Sequence, residues 1–219
     1  MSSAVAIVDY GMGNLFSVSK ACEAVGLEAV VTSSPREVLA ASAAIIPGVG
    51  AFGDAMRTLE ALGLADAIRE LAAAGRPIVG ICLGLQLLLS ESEEFGHHAG
   101  LGLIPGRVVP LPRGIRHMGR ALKIPNVGWA RISPVRPWTG TLLEQVSAGE
   151  YMYFTHSYWV EPQDPSTVLA LSSYGNVEFP CSLSCGSLFG TQFHPERSGP
   201  EGLAVYRSLA GRIGAATSG

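Results

Sequence analysis

Pro77-Ile-Val-Gly-Ile-Cys-Leu-Gly-Leu-Gln-Leu-Leu88 joins two apolar runs through a cysteine set between glycines. Pro77–Ile81 is short, continuous and apolar, the pattern of a strand covered on both faces. Leu85–Ser90 starts a helix. Between them Gly80-Ile-Cys-Leu-Gly84 has the strand–tight turn–helix form of a nucleophile elbow, with Cys82 where hydrolases often carry serine. Glycine permits the sharp turn and lets neighbouring backbone come close. The turn pushes the thiol out of the strand. The free N–H groups that follow favour a thiolate and a developing oxyanion. The bland reading is a buried cysteine at a glycine-rich strand end, and these five residues leave both readings open.

Working outward, the same alternation recurs. Ala4–Val8 reads as a strand and ends in the turn Asp9-Tyr-Gly-Met-Gly-Asn14. Ser17–Val25 reads as a helix stopped by Gly26, and Glu28–Val31 as a second strand. Ser34-Pro35 opens another helix, with proline at a favoured first-turn position. Ala43–Ile46 is a third strand, halted by Pro47-Gly-Val-Gly50, and Ala55–Ala74 a helix that Gly63 breaks. This βαβα order predicts a mainly parallel sheet with helices on both faces. The second half differs. Val108–Trp138 is rich in Pro and Gly; Glu150–Val160, Thr167–Ser172 and Leu188–Phe193 read as strands, and Glu201–Ile213 as a closing helix.

Composition excludes several classes. The 219 residues suit one domain, expected to span 1–219. A net charge of −3 leaves no broad basic surface, so no nucleic-acid partner is expected. Charged residues make up 15%, against about 25% in ordinary soluble domains, a weak sign of a partner-covered face. The longest uncharged stretch, Phe179–Pro195, contains Ser, Thr, Gln and His and falls short of the roughly 20 apolar residues of a membrane span. The N-terminus lacks the basic region of a signal peptide. A cytoplasmic location and no membrane partner are therefore expected. Cys22, Cys82, Cys181 and Cys185 do not make a disulfide scaffold. Cys181 and Cys185 read as half-buried thiols, because no second ligand pair answers them as a zinc site would require. No metal is expected.

A cysteine nucleophile needs a base. His97 and His98 lie in a polar loop and read as exposed; His117 has no partner in sequence; His156, inside Tyr151-Met-Tyr-Phe-Thr-His-Ser-Tyr-Trp159, reads as a core or interface residue. His194 stands in Gly190-Thr-Gln-Phe-His-Pro-Glu196, just past a strand. Pro195 restricts the backbone, and two-residue spacing lets Glu196 sit beside the imidazole and orient it. The bland reading is a surface turn. Cys82 and His194 both follow strands, and sites of open parallel sheets form along that carboxyl edge. Thiolate attack on an acyl carbon, a thioester and hydrolysis follow.

Gly80-Ile-Cys-Leu-Gly-Leu-Gln-Leu-Leu88 together with Gly190-Thr-Gln-Phe-His-Pro-Glu196 resembles the class I (triad) glutamine amidotransferases. The resemblance implies a flavodoxin-like α/β fold with a mainly parallel open sheet and additional β strands in the second half. It implies glutamine as substrate, with Cys82 as nucleophile, His194 as base and acid, and Glu196 as orienting carboxylate. No cofactor is implied. Asp9-Tyr-Gly-Met-Gly-Asn14, Ile46-Pro-Gly-Val-Gly-Ala-Phe52, Lys123-Ile-Pro-Asn-Val-Gly-Trp129 and Tyr153-Phe-Thr-His-Ser-Tyr158 resemble the family of glutaminase subunits of imidazole glycerol phosphate synthase, over roughly residues 4–213.

That family resemblance implies an oxyanion hole from the Val49 and Leu83 N–H groups beside Gly50, with a peptide rotation needed at Val49. It implies that Gln86 binds glutamine and that Thr155, His156 and Ser157 hold its α-carboxylate. It further implies docking on a (β/α)₈-barrel cyclase, in a heterodimer that channels ammonia, with Asn14, Trp129, Tyr153 and Arg197 near the interface. Alone, Gln86 is an ordinary polar helix residue and the Tyr153–Tyr158 stretch an aromatic strand. The family usually has His-Met-Gly-Trp-Asn where this chain has Asn126-Val-Gly-Trp-Ala130, and Lys where it has Arg197; these departures fall in the partner-facing pattern. A paralogous glutaminase feeding a sugar-amidating enzyme of surface-polysaccharide synthesis is the first alternative. A catalytically idle scaffold subunit and a general cysteine hydrolase are the others.

Overall fold

The computed structural model describes residues 4–217, with side chains described through Ile213. In chain order the first half is β1 (Val5–Val8), α1 (Leu15–Ala24), β2 (Ala29–Thr32), α2 (Pro35–Ala40), β3 (Ala43–Gly48), α3 (Phe52–Ala61), α4 (Leu64–Ala73), β4 (Ile78–Cys82) and α5 (Leu83–Leu87). The second half is β5 (Leu89–Ser92), β6 (His98–Ala99), β7 (Ile104–Pro110), β8 (Arg116–His117), β9 (Arg120–Ala121), β10 (Asn126–Pro134), β11 (Tyr151–His156), β12 (Tyr158–Pro162), β13 (Val168–Tyr174), β14 (Val177–Cys185), β15 (Leu188–Thr191) and α6 (Gly199–Thr217).

Nine of these strands form one sheet in the order β11-β10-β13-β14-β15-β4-β3-β1-β2. The half from β15 to β2 is parallel, and the half from β11 to β15 is antiparallel. Alternation along the central strands sends side chains into two cores. Val5, Ile7, Ile45, Val79 and Ile81 pack on one face with Val18 and Cys22 of α1 and Val205 and Leu209 of α6. Ala6, Val8, Ala44, Ile46 and Ile78 pack on the other with Val38 of α2, Leu59 of α3, Ile68 of α4 and Leu85 of α5. Burial on both faces is why these strands read as continuous apolar runs. A smaller sheet, β12-β7-β5-β6, adds to the second core through Leu89, Ile104, Val108 and Val160.

Local signals hold where they are strong. Ser34 caps α2 by accepting from the Glu37 N–H, with Pro35 in the first turn. Gly63, at φ +69°, separates α3 from α4. Three expectations are corrected and one element is added. The helix expected at Leu85–Ser90 is the five-residue α5, and the chain turns straight into β5. Glu150–Val160 is two strands in different sheets, divided at Ser157, because that segment crosses from one sheet to the other. Strand β14 was not anticipated; its burial switches between faces and includes Pro180, which breaks any simple alternation. Cys181 on β14 is fully buried rather than half-buried, while Cys185 is partly exposed.

The topology decides where the site lies. Strand β4 has β3 on one side and β15 on the other, all parallel, with Gly48 opposite Cys82 and Thr191 opposite Ile81. The segments leaving β3, β4 and β15 therefore meet at one carboxyl edge, however far apart they are in sequence.

Candidate active site

Cys82 ends β4 with φ 54° and ψ −106°, a region that costs a non-glycine residue on the order of 1–3 kcal/mol. Close packing enforces this turn. A Cβ at Gly84 would fall 1.7 Å from the Ile46 carbonyl oxygen, and one at Gly80 would fall 2.6 Å from the backbone of Gly84. Both positions exclude any side chain, so the glycines that bracket the cysteine are there for space. The thiol sits 3.6 Å from the Thr155 carbonyl oxygen, to which it can donate, and 3.6 Å from Nε2 of Gln192.

His194 and Glu196 follow β15. The Nδ1–H of His194 meets Oε1 of Glu196 at 2.8 Å, with both side chains almost wholly buried. That contact settles the tautomer: Nδ1 carries the proton and Nε2 is left to exchange one. The backbone is held as firmly. The His194 N–H donates to the Tyr153 carbonyl at 2.9 Å. Ser198 Oγ donates to the His194 carbonyl at 2.6 Å and accepts from the Tyr153 N–H at 3.0 Å. Burial alone would lower the imidazole pKa, but hydrogen bonding and charge from Cys82 and Glu196 outweigh it and raise it to about 10. His194 is thus poised as an imidazolium beside Cys82.

A cavity of about 260 Å³ opens above the thiol, at the small end of ligand pockets. Val49, Gly50 and Leu83 line it on the elbow side, and Thr155, His156 and Ser157 on the other, with Gln86 between. Gln86 is buried, and its Nε2 donates to the Tyr158 carbonyl at 3.1 Å and to Oε1 of Gln192 at 3.3 Å. Its own Oε1 is the group it can offer a ligand. His156 also lines the cavity, but both ring nitrogens are engaged: Nδ1 with the Tyr158 carbonyl and Nε2 with Nδ2 of Asn126, each at 3.0 Å. Burial pushes its pKa down to about 4, against the Tyr158 contact and helped by the charge of His194. A neutral ring that donates from Nδ1 and accepts at Nε2 satisfies both bonds.

Sequence reading missed three neighbours. Gln192 is fully buried and touches the thiol; its signal was the two-residue spacing to His194, which puts both on one face of an extended segment. Asn126 is buried against His156 rather than facing a partner, and Ala130 is only half exposed, packed on the core. Of the four departures from the family pattern, Val127 and Arg197 face outward. Glu94 lines the cavity and accepts the Phe52 N–H at 2.5 Å. Burial raises its pKa, against that bond and the nearby His98. No short motif marked Glu94. His98, expected to be exposed, packs against Gly53 and is only partly accessible.

The four residues expected at an interface divide. Trp129 and Tyr153 are cross-strand partners on β10 and β11, with rings edge-to-face at 6.0 Å, and the Arg197 guanidinium lies 4.4 Å from the Tyr153 ring centre. Trp129 is 56% exposed. Asn14 is exposed and caps α1 by accepting the Ser17 N–H at 3.2 Å; α1 in turn packs against the turn Pro195–Arg197. Among the described residues no group of three His, Cys, Asp or Glu side chains could hold a metal ion, and no helix is long and apolar enough to cross a membrane.

The glutamine amidotransferase class-I family model matches residues 6–208. The imidazole glycerol phosphate synthase subunit HisH of Moorella thermoacetica is 48% identical over 205 residues, covering 94% of this chain and 93% of that protein. The subunit of the same name from Geobacter sulfurreducens is 46% identical over 205 residues, covering 94% and 97%. Among solved structures, a glutamine amidotransferase superposes with TM-score 0.70 at 19% identity over 94% of this chain and 98% of its own. PurLQS from Thermotoga maritima superposes with TM-score 0.69 at 21% identity over 97% and 100%. These two likenesses concern the fold, and they bear out the expected α/β architecture with its added strands. Matched over nearly its whole length by the family model and close to half identical to such relatives, this chain belongs to the class-I glutamine amidotransferase family.

Proposed function

We propose that this chain is the glutaminase subunit of imidazole glycerol phosphate synthase, hydrolysing glutamine to glutamate and ammonia for histidine biosynthesis. The observation that carries the reading is the 2.8 Å His194–Glu196 contact, delivered to the sheet edge where Cys82 is held in its strained turn. The near-half identity to HisH subunits supports the pathway assignment.

The chemistry follows from the groups present. The Cys82 thiolate attacks the side-chain carbonyl carbon of glutamine. Negative charge moves to the oxygen, where the Leu83 N–H and, after a peptide rotation, the Val49 N–H receive it. The tetrahedral intermediate collapses as the His194 imidazolium gives its proton to the departing nitrogen, and ammonia leaves. Water then attacks the thioester, His194 takes the proton, and glutamate departs as the thiolate reforms. Glu196 holds the ring. Oε1 of Gln86 and the carboxylate of Glu94 suit the substrate's ammonium group, while the Thr155–Ser157 segment suits its α-carboxylate. Neutral His156 stiffens that segment.

The ammonia passes to a partner cyclase subunit. We read that partner as a (β/α)₈ barrel, the docking face as the Trp129–Tyr153–Arg197 stack with Asn14, the location as the cytoplasm, and the chain as one glutamine amidotransferase domain over 1–219. Residues 1–3 and 218–219 of that span lie outside the described residues. The test is ammonia release from glutamine by the purified chain, alone and with the cyclase subunit and its nucleotide ligand. A large rise with the partner is expected. Cys82→Ala should abolish hydrolysis while ammonia-dependent synthesis by the complex survives. Hydrolysis persisting in that variant overturns the nucleophile assignment. Basal hydrolysis with no rise points to a different acceptor enzyme.

A further inference from the structure

The segment between β1 and α1 folds over the end of β3. Tyr10, 2% exposed, sends its ring inward from this segment, and its hydroxyl donates to the Pro47 carbonyl oxygen at 2.7 Å. Pro47 opens Pro47-Gly-Val-Gly50, which borders the cavity above the thiol. The fit around this bond is tight. A Cβ at Gly48 would fall 2.4 Å from the Tyr10 hydroxyl and 2.8 Å from Cβ of Leu83. Gly48 therefore lies against the Tyr10 hydroxyl and the side chain of the residue after the nucleophile, with no room for a Cβ. Burial, and secondarily Cys82, push the phenol pKa up, so it stays a neutral donor.

A buried tyrosine whose only polar atom reaches a single backbone carbonyl does more than fill space. β3 ends at Gly48, opposite Cys82, and beyond it the chain must turn through Val49 and the left-handed Gly50. The carbonyl that Tyr10 holds belongs to the Pro47–Gly48 peptide, directly before the peptide that carries the Val49 N–H. The Tyr10 hydroxyl anchors it from the segment before α1. We propose that Tyr10 is a positioning residue for the oxyanion segment: its hydrogen bond to Pro47 fixes the peptide plane from which the chain presents the Val49 N–H to the reacting carbonyl. The inference rests on the reading of Cys82 as nucleophile and Val49 as oxyanion donor.

The experiment measures glutamine hydrolysis by the chain in complex with its cyclase subunit, together with the rate at which iodoacetamide alkylates Cys82. Alkylation needs the thiolate but develops no oxyanion, because sulfur displaces iodide at a saturated carbon. Tyr10→Phe should lower kcat at least about tenfold, short of the loss from deleting an oxyanion donor outright. KM and the alkylation rate should stay within about twofold of wild type. Rates are expressed per alkylatable Cys82, so a smaller folded fraction divides out. Gly48→Ala keeps the phenol but crowds its hydroxyl, and with it the Leu83 side chain; it should lower kcat at least as much, and it carries the test if Tyr10→Phe does not fold. An unchanged kcat in either variant, or a parallel fall in kcat and alkylation rate in Tyr10→Phe, would each overturn the inference while leaving the glutaminase reading intact. A wild-type complex that releases no ammonia from glutamine overturns that reading and the inference with it.

Discussion

Two histidines belong to the same site, and their environments drive their pKa values apart. His194, in the turn after β15, and His156, at the end of β11, are both almost fully buried, at 3% and 5% exposure. One has its pKa raised to about 10, the other lowered to about 4. Burial acts in the same direction on both. The difference lies in what else acts on the ring: Glu196 and Cys82 at His194, a carbonyl and an amide at His156. Neighbouring charge, not depth, separates a proton-transfer group from a structural one.

Substitution should break the pair most visibly. His194→Asn should lower kcat/KM for glutamine by about 10³-fold or more, because it removes the proton carrier, and should also lower the thermal midpoint, because it leaves the buried Glu196 without its partner. His156→Gln should lower the midpoint by roughly 5 °C but kcat by no more than about tenfold. Ammonia release and melting curves on both variants check this; equal kcat losses would dissolve the distinction. Glu196→Gln comes next. A neutral amide can present an N–H to Nδ1 and turn the ring to the wrong tautomer, so kcat should fall on the order of 10²-fold. The His194 pKa should drop with it, read by imidazole NMR.

The pH dependence of stability should split in two windows. The raised pKa of His194 stabilises the fold fully below its ordinary value near 6.5, and this contribution is lost as pH rises through about 10. The depressed pKa of His156 stabilises the fold above about 6.5, and this is lost as pH falls toward about 4. The acid-side loss amounts to about 3 kcal/mol at most for one proton over that window. Denaturant unfolding at pH 7, 5.5 and 4 should show it, and His156→Gln should flatten it. The smallest effect concerns Asn126. Asn126→Ala removes the donor to Nε2 of His156, should cost about 1–3 kcal/mol, and should raise the His156 pKa toward its ordinary value. An unchanged titration would mean that burial alone holds the ring neutral.

What was legible in the chain follows the range of each interaction. The parallel half was readable almost element by element, since its strands are continuous apolar runs and its helices carry Gly26, Pro35 and Gly63 as punctuation. The antiparallel half was read poorly. Ser157 is one residue between two sheets, and no local pattern marks a change of sheet. Strand β14 hides because its sides face different surroundings along its length. In the site, Cys82 and the His194–Glu196 pair were legible, because an elbow and a two-residue spacing are local geometry. Glu94 and Asn126 were not, since each owes its place to a partner more than two dozen residues away.

By itself, then, the sequence determined the alternation that builds the parallel sheet, the glycines that make room at Cys82, and the pairing of His194 with Glu196. Only the tertiary structure decided that β15 lies beside β4 and so brings the pair to the thiol. It alone decided that His156 is neutral, that Gln192 touches the thiol, that Glu94 lines the cavity, and that Tyr10 reaches Pro47. The physical reason is distance. Backbone preferences and side-chain periodicity act over a few residues of chain, whereas desolvation, charge and hydrogen bonding act over a few ångströms of space, and only the folded chain fixes which residues share that space.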